Sequence, residues 1–213
     1  MAAQRVLIFA GGSIDPSFIE EIHSDDLIIG ADRGALFLVE HGVRPHFSVG
    51  DFDSVSPIEL ENISKHSEQM LACDAINKDL TDTELAFDIA IKQRPEQIVM
   101  FGVTGSRLDH TLANIHLLVK SLEQHIPCAI RDHNNYVTLT DSTITIQDQG
   151  FTYVSLLPVT TEVTGIDLTG FQYPLHNATL IMGQSLAVSN RLEDKVGTIS
   201  IRSGLLLIIQ SKD

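Results

Sequence analysis

Two carboxylates and a hydroxyl group follow a short apolar stretch in the segment SVGDFDSVSP, residues 48–57. Asp51 and Asp53 are two residues apart, and Ser54 is next in the chain. Because carboxylates placed this closely repel each other, the segment is either a turn that caps the following helix or part of a site for a divalent cation. Mg²⁺ prefers carboxylate oxygens completed by water and phosphate oxygens. We expect a magnesium site here, and further acidic candidates for it are Asp32, Asp79 and Asp82.

A loop suited to phosphate binding lies in GVTGSRLDH, residues 102–110. Gly102 and Gly105 let the backbone approach an anion, and Ser106 leads into a helix whose first N–H groups have no partner within the helix. Arg107 adds a forked cation that suits a polyphosphate. The loop is neither a Walker A motif nor a dinucleotide fingerprint, and a glycine turn can also be a plain connection.

Two further polar side chains, Asp109 and His110, begin that helix. They are candidates for contacts to a ribose, a base or the reacting hydroxyl group, although a single histidine is also common as a structural residue. No Ser-His-Asp or Cys-His arrangement is visible. Clustered acids and a phosphate-like loop without a covalent nucleophile favour magnesium-assisted phosphoryl or pyrophosphoryl transfer.

The elements that must position these residues alternate between short apolar strands and helices. Apolar stretches predict strands at 6–10, 27–31, 47–50, 69–73, 97–102 and 128–130. The clearest helices are 81–94, with Thr81 as N-cap and Glu84 three residues later, and 109–125. At a helix start, Asp82 would also be stabilised by the helix dipole alone. This pattern predicts an α/β fold with a mostly parallel sheet and helices on both faces.

Polar clusters follow five of the predicted strands. In an open parallel sheet, ligands bind beyond the carboxyl ends of the strands, so we expect these clusters to meet at one site. The clusters are AGGS (10–13), GADRGA (30–35), GDFDS (50–54), NKDLTDTE (77–84) and GVTGSRLDH (102–110).

The character of the sequence changes after about residue 132. Short stretches rich in Thr, Val, Ile and Ser, separated by Gly, Pro and Asn, predict a small all-β sandwich or barrel. They are 136–147, 151–159, 178–183, 185–190 and 197–210. We therefore expect an α/β domain at 1–130 and a β-sandwich domain at 131–213.

Composition excludes several classes of function. The formal net charge is −14, and the 14 Lys and Arg residues form no basic run, which argues against nucleic-acid binding. No apolar run approaches the roughly 20 residues that span a membrane, and the start of the chain does not resemble a signal peptide. We expect a cytoplasmic protein without membrane association, whose cysteines, Cys73 and Cys128, are reduced thiols.

The motifs GADRGA, VGDFDS, KDLTDTELA and GVTGSRLDHTLANI, in this order, resemble the bacterial thiamine pyrophosphokinase family, as does SLAVSN before a final hairpin. The resemblance implies an enzyme that transfers the β,γ-pyrophosphate of ATP to the primary hydroxyl group of thiamine and releases AMP. It also implies a homodimer, with thiamine at the interface between the α/β domain of one protomer and the β domain of the other.

The resemblance also implies roles for individual residues. Four aspartates would bind magnesium and the polyphosphate. Asp51, Asp53 and Asp82 would be catalytic metal ligands, and Asp32 would contact ATP. The residues along ATP would be Thr104, Gly105, Ser106, Arg107, Asp109 and His110. Thiamine would contact Ser189 and Asn190. Tyr173 stands where related eukaryotic enzymes have a tryptophan that packs on thiamine, and it is either that stacking residue or only a core or interface aromatic.

Three other functions fit parts of the pattern. A DxD motif at a strand end also occurs in metal-dependent glycosyltransferases, although that class leaves the TGSRLDH loop and the β domain unexplained. A pyrophosphokinase acting on another primary alcohol, such as a pterin, is a nearer variant. A dimeric sensor that binds nucleotide without turnover is the non-enzymatic alternative.

Overall fold

The computed structural model describes residues 5–72 and 80–213, which form two compact units that meet in sequence between His133 and Asn134. Cys73 and the first three residues of the predicted cluster NKDLTDTE, 77–79 with Asp79 among them, lie outside the described part. No helix of the described residues is long and apolar enough to cross a membrane.

A parallel sheet forms the centre of the first unit. Its strands are β1 (Arg5–Phe9), β2 (Leu27–Ala31), β3 (Phe47–Gly50), β4 (Gln69–Ala72), β5 (Gln97–Phe101) and β6 (Cys128–Arg131). They lie in the order β4-β3-β2-β1-β5-β6, and every neighbouring pair is parallel. Residues 6–9 of β1 are all buried, as in a strand covered on both faces. The predicted fold class is confirmed, with strand ends within a residue or so of the predicted ones.

Helices connect these strands. They are a 3₁₀ helix (Pro16–Glu21), α1 (Arg33–Glu40), α2 (Pro57–His66), α3 (Asp82–Lys92) and α4 (Leu108–Glu123). The Thr81 side chain accepts from the Glu84 N–H at 3.2 Å, so the predicted N-cap of α3 is confirmed. A reciprocal capping box starts α2, where Ser56 and Glu59 exchange both bonds; the sequence analysis did not identify it.

Aromatic packing anchors the carboxyl ends of the central strands. Phe9 ends β1 and Phe101 ends β5, and their rings stack with centroids 4.8 Å apart. Phe18 of the 3₁₀ helix packs on Phe101 at 4.9 Å. The glycine turns at 11–12 and 102 follow directly from these buried rings, so the core fixes where the two turns begin.

Two antiparallel sheets form the second unit. The strands are β7 (Asn135–Thr140), β8 (Ile144–Gln147), β9 (Tyr153–Pro158), β10 (Glu162–Thr169), β11 (Ala178–Ile181), β12 (Val196–Ser200) and β13 (Leu206–Ser211). One sheet has the order β7-β13-β9 and the other β11-β10-β12-β8. Leu156 and Ile208 of the first share one buried cluster with Val163 and Ile166 of the second, which is the packing of a sandwich.

Two details of this unit differ from the expectation. Residues 162–169 form the longest strand, β10, which the sequence analysis did not identify. A bulge between Val163 and Ile166, where Gly165 has a φ of +64°, breaks the period of two in its apolar residues. Residues 185–190, expected as a strand, form turns instead. Within that stretch, the Ala187 carbonyl and the backbone of Asn190 bond to the backbone of β9, and the Ser189 N–H bonds to the Ser155 hydroxyl. Ser189 turns the chain there with a φ of +60°.

Candidate active site

A cleft of about 500 Å³ lies at the carboxyl ends of β1, β2, β3 and β5. The starts of α1, α3 and α4 reach it as well, so described residues of all five polar clusters meet there, as the sheet geometry predicted. Its lining comprises 10–12, 31–33, Asp51, 80–83, 102–107, His110, Thr111 and Asn114.

A second cleft, of about 440 Å³, lies at the opposite ends of the strands. It contains His23, Asp25 and Asp26, the only group of at least three acidic or metal-ligating side chains among the described residues whose ligand atoms lie within 4.8 Å of one another. The buried Asp26 carboxylate is already bonded, however, because it accepts from the Arg5 guanidinium at 2.6 and 2.9 Å and from the His23 N–H at 2.7 Å. This arrangement fits a structural ion pair at the start of β1.

Asp32 lies where β2 turns into α1, with a backbone φ of +49° that residues other than glycine rarely adopt. The Ser54 hydroxyl donates to its Oδ2. Its Oδ1 is buried and has no hydrogen-bond partner among the described residues. Strain and an unpaired buried oxygen both cost free energy, and residues held in this way concentrate at functional sites.

Asp82, in the first turn of α3, faces the same acidic group. Burial, and then the nearby Asp51 and Asp32 carboxylates, raise the pKa of Asp82 from 3.8 to about 6, against the effect of a bond from the Asp51 N–H. Gly50, at the end of β3, lies close to the Asp82 side chain, since a Cβ on Gly50 would be 3.3 Å from Asp82 Oδ1. Its φ of +141° also favours glycine at this position. The cleft therefore holds carboxylates whose negative charges are only partly compensated.

These carboxylates fit a hard cation. All offer oxygen ligands, one oxygen lacks a donor, and the elevated pKa of Asp82 shows that the site favours added positive charge. No three of these carboxylates have ligand oxygens that all lie within 4.8 Å of one another. Asp53 is exposed outside the cleft lining, and its N–H bonds to Asp51 Oδ1 at 3.2 Å, so the turn that was the alternative interpretation of this segment is present.

The two glycine turns of the cleft pack directly on each other. The Gly12 N–H donates to the Gly102 carbonyl at 2.7 Å, and a Cβ at position 12 would lie 2.4 Å from that oxygen. Around Gly105, by contrast, a Cβ would meet nothing within 4 Å. The first turn is therefore a close structural contact, and the second leaves open backbone that a ligand can approach.

The remaining residues of the predicted phosphate loop have mixed surroundings. The Thr104 hydroxyl donates to Asp132 at 2.8 Å. Ser106 and His110 line the cleft. Arg107 is bonded to Asp109 at 2.6 and 3.2 Å, and this cation holds the pKa of Asp109 down at about 2. An anion that binds Arg107 must therefore compete with Asp109.

Two residues of the cleft were missed by the sequence analysis. Asn114 is buried on α4, and its Nδ2 donates to the Val103 carbonyl at 2.8 Å, which ties the phosphate loop to the helix. Arg33 is exposed at the start of α1, has no ion pair among the described residues and donates a long hydrogen bond of 3.5 Å to the Ser54 carbonyl. Asn114 stands four residues after His110 on one helix face, a spacing that pointed to it.

The three residues expected near thiamine lie together in the second unit. Tyr173 is 60% exposed, whereas Asn190 is only 4% exposed and hydrogen-bonds to the backbone of Tyr173. Ser189 is exposed, and its N–H donates to the Ser155 hydroxyl at 3.0 Å.

Comparison with known proteins gives one consistent family. Residues 18–130 match the family described as thiamin pyrophosphokinase, catalytic domain, and residues 141–206 match thiamin pyrophosphokinase, vitamin B1 binding domain. The thiamine pyrophosphokinase of Bacillus subtilis is 35% identical over 99% of this chain and 100% of its own length.

Solved structures agree. The structure of the Bacillus subtilis enzyme has a TM-score of 0.91 at 33% identity and covers 98% of this chain and 99% of the other. That of thiamin pyrophosphokinase from Geobacillus thermodenitrificans has a TM-score of 0.89 at 35% identity and covers 98% of both chains.

Proposed function

Because the chain belongs to the thiamine pyrophosphokinase family, we propose that it transfers the pyrophosphate group of ATP to the hydroxyl group of thiamine and releases AMP. The cleft supports this function independently of the family match, because a group of carboxylates there faces an open glycine loop. A site of this kind positions phosphates and manages their charge, which is most of what phosphoryl-type transfer asks of a protein. The product, thiamine diphosphate, places the enzyme in thiamine diphosphate biosynthesis.

We propose that Asp51, Asp53 and Asp82, with Asp32 beside them, bind Mg²⁺. The unpaired Asp32 oxygen and the raised pKa of Asp82 support this. Bound Mg²⁺ would supply positive charge that offsets the charge of the transferred phosphates. The residues themselves hold the substrates in line, so that the thiamine hydroxyl group reaches the β-phosphorus while AMP leaves.

The ATP phosphates would lie along the loop from Thr104 to Arg107. Gly105 has open space, and the first N–H groups of α4 have no side-chain cap, so both offer donors to an anion. Arg107 would exchange Asp109 for a phosphate oxygen, which frees the Asp109 carboxylate to accept from a substrate hydroxyl group. His110, in the first turn of α4, completes the proposed ATP contacts.

The second unit would bind thiamine, with Tyr173, Ser189 and Asn190 as the proposed contact region. The exposed Tyr173 ring supports this, since an aromatic face attracts a cationic ring such as the thiazolium of thiamine. A division into an ATP- and magnesium-binding domain at 1–130 and a thiamine-binding domain at 131–213 is the corresponding proposal.

Two expectations stay predictions. The first is a homodimer with its active sites at the interface, which sedimentation of the purified chain would test. The second is a cytoplasmic location, which cell fractionation would test.

The experiment that tests the function is one reaction with purified protein, ATP, Mg²⁺ and thiamine, followed by chromatography of the products. Equal amounts of AMP and thiamine diphosphate are expected. ADP with thiamine monophosphate would contradict the proposed transfer, and no thiamine-dependent product would refute the assignment. Asp51→Asn should lose activity, while Asp194→Asn, at an exposed position of the second unit, controls for the loss of one charge.

The glycosyltransferase alternative is not favoured, because the whole chain matches thiamine pyrophosphokinases. Replacing thiamine by a pterin alcohol, or ATP by nucleotide-sugars, in the same assay separates the remaining alternatives.

A further inference from the structure

We propose that Asn190 is a positioning residue, which fixes the backbone of Tyr173 so that its ring is presented to thiamine, and that its own carboxamide does not recognise the substrate. This inference rests on the proposed function, because it takes thiamine as the ligand of the Tyr173 region. It changes the role that family resemblance suggests for Asn190, which was direct contact with thiamine.

The carboxamide of Asn190 is already used by the protein. Its Oδ1 accepts from the Tyr173 N–H at 3.0 Å and from the Arg191 N–H at 2.8 Å, and its Nδ2 donates to the Tyr173 carbonyl at 2.8 Å. A side-chain amide has two acceptor positions and two donor hydrogens. Both acceptor positions and one donor are therefore occupied, and the side chain is 4% exposed.

The pair of bonds to Tyr173 extends a ladder between two segments of the second unit. The Gln172 N–H bonds to the Arg191 carbonyl at 2.9 Å, and the Glu193 N–H bonds to the Gly170 carbonyl at 3.0 Å. At the next residue, Tyr173, the side chain of Asn190 replaces a backbone partner. It pairs with both the N–H and the carbonyl of Tyr173.

Asn190 is itself held from the other side. Its N–H and carbonyl both pair with Val154 of β9, at 3.0 and 2.8 Å. The connection therefore runs from a buried strand residue, through the backbone and side chain of Asn190, to the backbone of Tyr173. Because the Tyr173 ring is 60% exposed and receives little support from packing, its direction depends on this backbone.

The chain offers a clean optical reporter, since it contains no tryptophan. In Tyr173→Trp, the single indole reports the mobility and exposure of this position without any need for activity. Adding Asn190→Ala should lower the fluorescence anisotropy of that indole and increase its quenching by iodide. Gln184→Ala is the matched control, because Gln184 also accepts a backbone N–H in a loop of the same unit, but from Ile181.

Kinetics then separate positioning from direct contact. Asn190→Ala leaves the backbone groups of Tyr173 unpaired, and Tyr173→Ala removes the aromatic ring that would attract the thiazolium. Each should raise the KM for thiamine by roughly tenfold, with the KM for ATP unchanged. The double variant should be little worse than Tyr173→Ala alone, because Asn190 acts through that residue. Asn190→Asp, which keeps both acceptor positions, should lie between wild type and Asn190→Ala, and it replaces the alanine variant if that one does not fold.

Additive effects on the KM for thiamine, together with an unchanged indole signal, would overturn the proposal and assign Asn190 to direct binding. If the indole signal changes as expected but no variant binds or converts thiamine, the mechanical link from Asn190 to Tyr173 holds while the proposed function, and with it the role toward thiamine, is refuted.

Discussion

Removing the negative charge of Asp82 should stabilise the protein in the absence of metal while it abolishes turnover. Burial and the neighbouring carboxylates raise the pKa of Asp82 from 3.8 to about 6. The folded state thus binds this proton more readily than the unfolded state does. The free energy of unfolding therefore falls as the pH rises from about 4 to about 6, because the folded state must bury the ionised Asp82. Above about pH 6 the destabilisation by Asp82 stays at its full value.

The magnitude follows from the shift. A difference of about 2 pKa units corresponds to at most about 3 kcal/mol, and solvent screening of this partly exposed side chain reduces it, so we expect about 1–3 kcal/mol. Asp82→Asn mimics the protonated form. It should match wild type near pH 4 and exceed it in stability by that amount at pH 7.5.

The assay is urea unfolding in the presence of a chelator, at several pH values between 4 and 8. The difference between Asp82→Asn and wild type is the measured quantity, because other carboxylates shift both curves equally. Adding Mg²⁺ and ATP should reverse the order at pH 7.5, since only wild type gains the full stabilisation of the bound ligands. A difference that is independent of pH, or a variant less stable than wild type at pH 7.5 under chelation, would refute the electrostatic reasoning. Asp194→Asn should leave the pH dependence unchanged.

Three other changes test separate parts of the cleft. Asp51→Asn should lower kcat on the order of 100-fold or more, and raise the Mg²⁺ concentration needed for half-maximal rate; near-normal turnover would contradict the metal role. Asn114→Ala should cost about 1–3 kcal/mol in urea unfolding and raise the KM for ATP, because the Val103 carbonyl loses its donor; an unchanged KM would show that the bond does not shape the loop. Gly12→Ala should lower the Tm and weaken ATP binding measured by calorimetry, because its Cβ would lie 2.4 Å from the Gly102 carbonyl oxygen and the loop must move. Unimpaired binding in that variant would show that the two turns need not touch.

The sequence was most informative about the first unit. Central parallel strands are covered on both faces, so their residues form nearly continuous apolar runs, and β2 and β3 were predicted with their observed limits. The location of the cleft followed from the same fact, because parallel strands bring their carboxyl ends to one edge.

The second unit was harder to predict for a physical reason. Its strands are short, and irregularities such as the bulge at Gly165 in β10 shift the alternation of apolar and polar residues. The hydrogen bonds between Asn190 and Tyr173 join residues 17 positions apart, and no local sequence pattern predicts such a contact. In the cleft, the spacing from His110 indicated the helix face of Asn114, but the contact of Asn114 with Val103 and the surroundings of Arg33 depend on loop conformations that the sequence does not specify.

The carboxylates of the cleft also affect how fast a nucleotide arrives. The chain carries a formal net charge of −14, and Asp32, Asp51 and Asp82 add local negative potential at the proposed phosphate site. Repulsion between a negatively charged protein and a negatively charged nucleotide lowers their association rate. The repulsion acts over about one Debye length, which is about 10 Å at 0.1 M salt. Moderate salt should therefore accelerate nucleotide association with this enzyme, the opposite of the steering seen in proteins with basic phosphate sites. Free ATP should arrive more slowly than its magnesium complex, a prediction that stopped-flow binding with and without Mg²⁺ would test.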